Sequence, residues 1–327
     1  MKIIFWGTPE YSVSSLNILK KSNHDILAVI SQPDKKRARG NKLIPSPVKR
    51  YCIEQNIPIY TPEYIKGNFE FIKFLETFSS DLFIVIAYGK ILPREILTIP
   101  KYGAWNAHAS LLPRWRGAAP IQWTLLEGDN YTGVGIMKME EGLDTGDVLI
   151  EEQIKICDDD NLISLSQKLS DLSAKLINKA VSKIEEKSDK NIDSYLTNQI
   201  HLGREMTYAS MIKKTDFNVN WENDAIDIFR RIRALYPNAY TIFNGKNLKI
   251  IKIKVLDLNC DTEKYSFNTN CRKPGYIIGI DKNEGIIIST NTYPILLLEA
   301  KLEGKNTSSK MSLIQQLKPI VGTKFSD

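Results

Sequence analysis

The chain has 327 residues, a length that favours two domains, and 43% of them are apolar while 25% are charged. This balance is typical of globular proteins, and no apolar run approaches the roughly 20 residues that a membrane-spanning helix needs. Four cysteines show neither CxxC spacing nor a disulfide-dense pattern. We therefore expect reduced thiols, a cytoplasmic protein without a membrane partner, and no zinc site.

Charge is distributed unevenly along the chain. Residues 1–205 contain 26 basic and 26 acidic side chains, whereas residues 206–327 contain 18 and 12. The net charge of +6 therefore lies in the C-terminal part. Such a surplus suggests a polyanionic partner for that part of the chain, although a solvated basic surface is a common alternative.

The first half alternates short apolar runs with amphipathic stretches. Strands are predicted at residues 2–6, 26–30, 82–86, 103–107, 134–139 and 148–156. Helices are predicted near residues 11–21, 47–55, 68–78, 118–128 and 161–186. This alternation indicates a doubly wound α/β sheet over residues 1–187, with a site at the carboxyl ends of the strands. The first turn, Gly7-Thr8-Pro9-Glu10, has one glycine and lacks GxGxxG, which argues against a dinucleotide site.

A polar stretch at residues 188–205 is predicted to be a linker to a second domain at 206–327. The second domain is predicted to contain a helix at 224–235 and strands at 217–221, 240–243, 248–256, 276–280, 286–289 and 295–299. Alternation in the third of these strands places Ile251, Ile253 and Val255 towards the core and leaves Lys252 and Lys254 outside. Several short strands in a small basic domain suggest a β-barrel.

Three polar side chains form the candidate catalytic set. Asn106 and His108 are two residues apart and therefore project from one face of an extended segment. Asp144 lies in a turn rich in Gly and Asp that can bring a carboxylate to the imidazole. An amide, an imidazole and a carboxylate suit acyl transfer. Because no Ser or Cys lies in a recognisable activating motif, we expect the substrate to bring its own nucleophile.

Longer motifs add a resemblance to a known family. Residues 106–121, NAHASLLPRWRGAAPI, and residues 142–147, GLDTGD, resemble the core of the 10-formyltetrahydrofolate-dependent formyltransferases. The runs FWGTPEY at 5–11, QPD at 32–34 and PSPVK at 45–49 are similar to members that act on methionine-charged initiator tRNA. Ala109 stands where the family often has Gly or Pro, which removes no chemical group that the reaction needs.

The resemblance implies a fold, a reaction and roles for the candidate residues. The fold would be a Rossmann-like formyltransferase domain followed by a small OB-like β-barrel domain. The reaction would transfer the formyl group of 10-formyltetrahydrofolate to the α-amine of initiator methionyl-tRNA, without a metal. Asn106 would donate to the oxyanion, His108 would relay a proton, and Asp144 would orient His108.

The resemblance also implies a folate pocket. Without it, the stiff loop around Ser110-Leu111-Leu112-Pro113 would be read as a structural crossover. With it, that loop packs beside the folate, and two further segments line the pterin pocket. Their expected contact residues are Tyr88, Gly89, Lys90, Ile91, Leu92 and Met139.

Two basic regions are candidates for holding tRNA. Residues 35–50 contain seven basic and no acidic side chains and are predicted to form a mobile loop. Such a loop is often merely solvated, but the resemblance implies that Arg39 enters the acceptor end, supported by Lys42 and Lys49. In the second domain we expect contacts to the tRNA backbone from Arg230, Arg233, Lys246, Lys252 and Lys254.

Three alternatives stay open on the sequence alone: a formyltransferase acting on a small-molecule amine, a non-enzymatic tRNA-binding protein, and a hydrolase that releases formate. The small-amine enzyme would not require the basic loop together with a basic second domain. The binding protein would not require Asn106, His108 and Asp144 together. We expect the protein to act as a monomer.

Overall fold

The structure is a computed structural model that describes residues 1–37, 42–188, 191–256 and 273–325. Its contacts divide the chain into two compact units. Unit 1 comprises Met1–Pro120, Asn130–Ile156 and Ser164–Ser210, and unit 2 comprises Ile121–Asp129, Cys157–Ile163 and Met211–Asp327. Among the described residues, no helix is both long enough and apolar enough to cross a bilayer.

The helices and strands follow the chain in this order. The strands are β1 (Lys2–Gly7), β2 (Asp25–Ile30), β3 (Lys35–Arg37), β4 (Lys42–Ile44), β5 (Ile59–Tyr60), β6 (Leu82–Ile86), β7 (Ala104–His108), β8 (Arg116–Gly117), β9 (Tyr131–Lys138), β10 (Val148–Lys155), β11 (Tyr208–Ala209), β12 (Tyr240–Phe243), β13 (Lys246–Val255), β14 (Ile277–Asp281), β15 (Gly285–Ile288), β16 (Ile295–Leu302) and β17 (Ser308–Ser309). The α-helices are α1 (Val13–Lys20), α2 (Pro47–Glu54), α3 (Phe69–Glu76), α4 (Arg94–Leu97), α5 (Pro120–Glu127), α6 (Leu162–Glu186), α7 (Ala225–Ala234) and α8 (Lys310–Leu317).

Unit 1 is built on a seven-stranded mixed sheet in the order β10-β9-β7-β6-β1-β2-β5. Strands β7, β6, β1, β2 and β5 pair in parallel, and β9 and β10 add an antiparallel edge. Every residue of β6, Leu-Phe-Ile-Val-Ile, is buried, as expected for a central parallel strand. The carboxyl ends of the parallel strands meet at one edge of this sheet, where ligands bind in such folds.

One core cluster lies beneath that edge. It contains Trp6, Phe83 and Tyr88, whose rings are close: Trp6 lies 5.5 Å from Phe83 and 5.1 Å from Tyr88 between centroids. Burying one large apolar side chain stabilises a fold by about 1.5–3 kcal/mol. The cluster therefore supports the strands whose ends carry the candidate site.

The ends of β1 and β6 are also joined by hydrogen bonds. Thr8, directly after β1, donates from its hydroxyl to the carbonyl of Tyr88, the second residue after β6, at 2.9 Å. Ser12 donates to the carbonyl of Ile86 at 2.6 Å. These two bonds tie the segment after β1 to the end of β6 and the loop that follows it, so this part of the sheet edge is held by the protein's own contacts.

Unit 2 contains an antiparallel sheet in the order β12-β13-β16-β15-β14, with β17 pairing β16. Helix α7 begins after Asp224 and ends before Pro237, as predicted. Together with the sheet of unit 1, this confirms the predicted fold class of a doubly wound α/β domain followed by a small β domain.

The interior face of β13 differs from the prediction. The structure buries Leu248, Ile250 and Ile253, whereas Ile251 and Val255 are half-buried. The cause is a register irregularity around Ile250 and Lys252 in the pairing with β16, which exchanges the two faces of the strand. Lys252 and Lys254 are exposed, as expected.

Two other local predictions were wrong. Residues 217–221 were expected to form a strand, but Lys214–Phe217 is a 3-10 helix and Asn218 makes only an isolated bridge to Tyr240. Residues 35–50 were expected to form a loop, but β3 and β4 pair as a short antiparallel ribbon and α2 begins at Pro47. The Ser46 side chain accepts from the backbone N–H of Lys49 and caps α2.

Candidate active site

Asn106 and His108 both lie on β7, near its carboxyl end. Asn106 pairs in register with Val85 of β6, and its side-chain nitrogen donates to the Val85 carbonyl at 3.1 Å. Its side-chain oxygen is buried and has no hydrogen-bond partner in the structure. One of the two amide N–H groups is thus committed to the neighbouring strand, which fixes the plane of the amide.

The imidazole of His108 is buried between two acceptors. Its Nε2 lies 2.9 Å from the carbonyl oxygen of Trp115, and its Nδ1 lies 3.6 Å from the Oδ2 atom of Asp144. Because a carbonyl oxygen only accepts, Nε2 must carry the proton in this contact. In the neutral ring Nδ1 is then the basic nitrogen, and a proton gained there forms an imidazolium beside the Asp144 carboxylate.

Asp144 is held by backbone groups as well. Its φ of 53° lies in the left-handed region, and its Oδ2 accepts from the backbone N–H of Gly117 at 2.7 Å. The turn is tight at Gly146, where a Cβ atom would collide with the carbonyl oxygen of Lys138. The structure therefore brings the Asp144 carboxylate from this turn to His108, and Asn106 lies two residues before His108 on the same strand.

The segment between His108 and Gly117 supplies the partner carbonyl. Ser110 donates from its hydroxyl to the carbonyl of Arg114 at 2.5 Å, and the Arg114 guanidinium lies over the Trp115 ring at 4.3 Å. Trp115 has a φ of 62°, a backbone conformation that is uncommon for a bulky residue. This irregular path turns the Trp115 carbonyl back to the imidazole.

The predicted folate loop packs partly into the protein. Leu112 is fully buried and packs with Met137 and Val148, and Leu111 lies against Gly133 of β9. Pro113 is buried too. The side chains of this loop therefore anchor it, while the Ser110 hydroxyl is committed to its own turn.

The second predicted folate segment, residues 87–92, combines buried and exposed side chains. Tyr88 and Leu92 belong to the core cluster, and burial raises the pKa of the Tyr88 phenol to about 12. Ile91 is 78% exposed, and Gly89 has a φ of 88° with open space where a Cβ would lie. Lys90 donates to the carbonyl of Glu63 at 2.6 Å. Met139 is half-buried against the same core cluster.

Matches to known proteins agree with this geometry. The family model for "Formyl transferase" matches residues 1–181, and that for "Formyl transferase, C-terminal domain" matches residues 211–318. A methionyl-tRNA formyltransferase of Prochlorococcus marinus (strain MIT 9215) is 66% identical over 328 aligned residues that cover 100% of both chains. The chain belongs to the methionyl-tRNA formyltransferase family. The family membership inferred from the sequence motifs is thereby confirmed, and the chain is a formyltransferase.

Solved structures outside the methionyl-tRNA formyltransferase family share the fold. The sugar 3N-formyltransferase WlaRD, solved in the presence of dTDP and 5-N-formyl-THF, has a TM-score of 0.60 at 20% identity over 94% of this chain and 99% of that chain. HypX from Aquifex aeolicus, in complex with tetrahydrofolic acid, has a TM-score of 0.60 at 15% identity. That match covers 100% of this chain but only 50% of HypX. At these identities the likeness concerns the fold alone.

The basic residues predicted to hold the tRNA of this family have different surroundings. In unit 1, Arg39 lies outside the described residues, and Lys42 begins β4. Lys49 pairs with Asp34 at 2.8 Å, with both side chains about a quarter exposed. A phosphate contact from Lys49 would therefore compete with an existing ion pair.

The predicted tRNA contacts of unit 2 also differ among themselves. Arg233 donates to the carbonyls of Asp160 and Cys157 at 2.6 and 2.8 Å, and burial lowers its pKa. Arg230 lies 3.6 Å from Asp227. Lys246, Lys252 and Lys254 are exposed on β13. The Arg233 guanidinium is engaged within the unit.

No signal in the sequence points to Gln199. Its side chain is 2% exposed and hydrogen-bonds to the turn that carries Asp144, although it lies in the stretch predicted to be a linker. A lone glutamine in a polar stretch has no distinguishing pattern. Among the described residues, no group of three or more His, Cys, Asp and Glu side chains is arranged to hold a metal ion.

Proposed function

We propose that this protein transfers the formyl group of 10-formyltetrahydrofolate to the α-amino group of methionine on initiator methionyl-tRNA, and that Asn106, His108 and Asp144 carry out the chemistry. The observation that carries the proposal is the contact series from Asp144 to His108 to the Trp115 carbonyl, beside Asn106 at the edge of the sheet. The choice of formyl donor and of tRNA acceptor follows from the family to which the chain belongs. We further propose that the protein acts as a monomer in the cytoplasm.

The reaction needs a nucleophile that the protein does not provide. The lone pair of the methionyl amine attacks the formyl carbon, and the carbonyl electrons move to oxygen, giving a tetrahedral oxyanion. Asn106 donates its second side-chain N–H to that oxyanion, since the first is bonded to Val85. Removing one such donor from comparable enzymes costs about 2.7–4 kcal/mol of transition-state stabilisation.

Proton movement falls to His108. The amine loses a proton as the new C–N bond forms, and His108 accepts it at Nδ1 while Nε2 remains bonded to the Trp115 carbonyl. Asp144 stabilises the resulting imidazolium. Collapse of the oxyanion breaks the bond to N10, and His108 returns the proton to N10. The products are formylmethionyl-tRNA and tetrahydrofolate, and His108 is neutral again.

The folate is proposed to bind along the two loops that flank the catalytic residues. The contact residues are those expected from the sequence: Tyr88, Gly89, Lys90, Ile91, Leu92, Ser110, Leu111, Leu112, Pro113 and Met139. Because Tyr88 and Leu92 have buried side chains, their contribution would come from backbone groups. Gly89 leaves room for a planar ring to approach the chain.

The tRNA is proposed to contact the 35–50 region and β13. Arg39, Lys42 and Lys49 would approach the acceptor end, and Lys246, Lys252 and Lys254 would contact phosphates. Arg230 and Arg233 are weaker candidates because both are already engaged within unit 2. Backbone contacts of this kind position a nucleic acid without reading its sequence.

The test is formylation of methionine-charged initiator tRNA with 10-formyltetrahydrofolate. We expect formylmethionyl-tRNA to form, and we expect methionine-charged elongator tRNA and free methionine to react far more slowly. Formylation of free methionine or of a sugar amine at a comparable rate would favour the small-molecule alternative. Formate release without tRNA at the same rate would favour a hydrolase.

A further inference from the structure

Residues 191–209, here called the connecting segment, belong to unit 1 and are hydrogen-bonded to residues around the candidate active site. Two 3-10 helices, Ile192–Tyr195 and Gln199–Leu202, lie in it, and it ends in β11. Val148 and Thr197 exchange two backbone hydrogen bonds of 2.8 and 2.9 Å. Arg204 donates to the carbonyl of Leu112 at 2.9 Å and pairs with Glu151 at 2.5 Å. The connecting segment is thus bonded to the loop that follows β7, at Leu112, and to strand β10, at Val148 and Glu151.

Gln199 makes four hydrogen bonds from one buried amide. Its side-chain nitrogen donates to the carbonyls of Asp144 and Gly146 at 2.9 and 2.7 Å. Its side-chain oxygen accepts from the Nε and Nη2 atoms of Arg116 at 3.0 and 2.7 Å. All the hydrogen-bonding capacity of the amide is used, and only 2% of the residue is exposed.

The chemistry of the partners fixes the direction of this amide. A guanidinium group only donates and a carbonyl oxygen only accepts, so the oxygen of Gln199 must face Arg116 and the nitrogen must face the turn. A carboxylate, which only accepts, would place an oxygen against the two carbonyl oxygens. A side chain that only donates would place its N–H groups against the N–H groups of Arg116. Glutamine is therefore matched to both neighbours at once.

Gln199 connects the two pieces of backbone that hold the Asp144 carboxylate. One is the Asp144 turn itself, and the other is β8, where Gly117 follows Arg116 and donates to Asp144 Oδ2 at 2.7 Å. Strand β8 also pairs in parallel with β11 of the connecting segment. A shift of either piece would change the 3.6 Å separation between Asp144 and His108.

We propose that Gln199 is a positioning residue for formyl transfer. Its amide sets the place of the Asp144 carboxylate beside His108, and so the connecting segment helps to build the active site. This inference rests on the proposed roles of Asp144 and His108. Its hydrogen bonds go to Arg116 and to the Asp144 turn, so its effect on the reaction passes through Asp144.

The test compares Gln199→Glu and Gln199→Ala with the wild type. Glutamate keeps the acceptors for Arg116 but replaces the donor with an oxygen facing two carbonyls, whereas alanine removes both sets of bonds. Gln153→Glu, an exposed residue of β10, is the matched control for the charge change. Each variant is then repeated in an Asp144→Asn background, which keeps an acceptor for Gly117 but removes the charge.

We expect both Gln199 substitutions to lower kcat by about 100-fold, the loss that a misplacement of about 1 Å can cause. KM for methionyl-tRNA and for the folate should stay within about twofold, since no binding group is removed. Gln153→Glu should match the wild type. In the Asp144→Asn background the Gln199 substitutions should change kcat little further, because the group that they displace has already lost its function.

The inference is overturned if kcat of the Gln199 variants equals that of Gln153→Glu, if only KM changes, or if the losses add fully to that of Asp144→Asn. Failure of both Gln199 variants to show a cooperative melting transition would also overturn it, because Gln199 would then serve folding. A different outcome tests the proposed function: full turnover by Asp144→Asn alone would remove the catalytic role of Asp144 itself.

Discussion

The Nε2 atom of His108 lies 2.9 Å from the carbonyl oxygen of Trp115, which fixes the tautomer of this imidazole. The Trp115 backbone is in turn held by Thr207, whose hydroxyl accepts from the Trp115 N–H at 2.9 Å. A backbone carbonyl cannot be removed by mutating its side chain. The basic nitrogen is therefore determined by the path of the chain, and Asp144 faces it from the other side.

Asn106→Ala should lower single-turnover formylation by about 100–1,000-fold, since it removes one donor to the oxyanion. The bond to Val85 is lost too, so the melting temperature should be measured alongside the rate. Asn106→Asp has nearly the same shape but no N–H and a negative charge, and we expect it to be at least as slow. A rate for Asn106→Ala within threefold of the wild type would contradict the oxyanion role.

His108→Gln should lower kcat by about 100–10,000-fold, the range that general acid–base catalysis contributes. Glutamine can still bond to the Trp115 carbonyl, so the loss reports on proton transfer rather than on the local backbone. His201→Gln, at an exposed position, is the matched control and should retain the wild-type rate. Equal rates for the two variants would exclude His108 from the chemistry.

Gly117→Ala should destabilise the fold more than Gly67→Ala does. Both glycines have positive φ, 125° and 71°, but a Cβ at Gly117 would lie 2.6 Å from the Ala209 carbonyl, whereas Gly67 has open space. We expect about 1–2 kcal/mol at Gly67 from conformation alone and a larger loss at Gly117. Urea unfolding measures both free energies. Equal losses of unfolding free energy would show that β11 can move away from a Cβ at position 117 without destabilising the fold.

Cys52 should resist alkylation in the folded protein. Burial raises the pKa of its thiol from the ordinary value of 9.0 to about 12, so the thiolate is scarce near pH 8. Because the folded state disfavours the thiolate, this group contributes stability below pH 9 that is lost as pH rises towards 12. Peptide mapping after iodoacetamide treatment should find exposed Cys157 modified and Cys52 modified only in urea. Rapid native labelling of Cys52 would contradict its burial.

Lys252→Gln combined with Lys254→Gln should raise KM for the tRNA and reduce its salt dependence, with little effect on kcat. Each lost phosphate contact lowers the slope of log affinity against log salt by about 0.9 for duplex nucleic acid. The matched control is Lys282→Gln combined with Lys305→Gln, two exposed lysines of the same unit. The same salt slope for both double variants would remove β13 from the tRNA-binding surface.

The predicted strands and helices of unit 1 follow directly from local patterns. The continuous apolar run of β6 identifies a strand because burial on both faces demands such a sequence, and the short, mostly buried segment of β7 is of the same kind. A spacing of two residues places Asn106 and His108 on one side of β7. The motif around them identifies the family, since its residues are contiguous along the chain.

Other features depend on partners that are distant in sequence. The two faces of β13 exchange at an irregularity in its pairing with β16, and alternation along a single strand carries no trace of it. The short ribbon of β3 and β4 likewise forms through pairing between two segments, and the sequence of each segment by itself predicts a loop.

By itself, the sequence determined the α/β class, the family and the main strands and helices, and it singled out Asn106, His108 and Asp144 as candidates, because each depends on residues that are neighbours or periodic. Only the tertiary structure decided that the Trp115 carbonyl faces His108 and that Gln199 holds the Asp144 turn. The physical reason is that a hydrogen bond needs only two groups in reach. Backbone carbonyls are the same at every position, so the sequence does not mark which of them a folded chain will bring together.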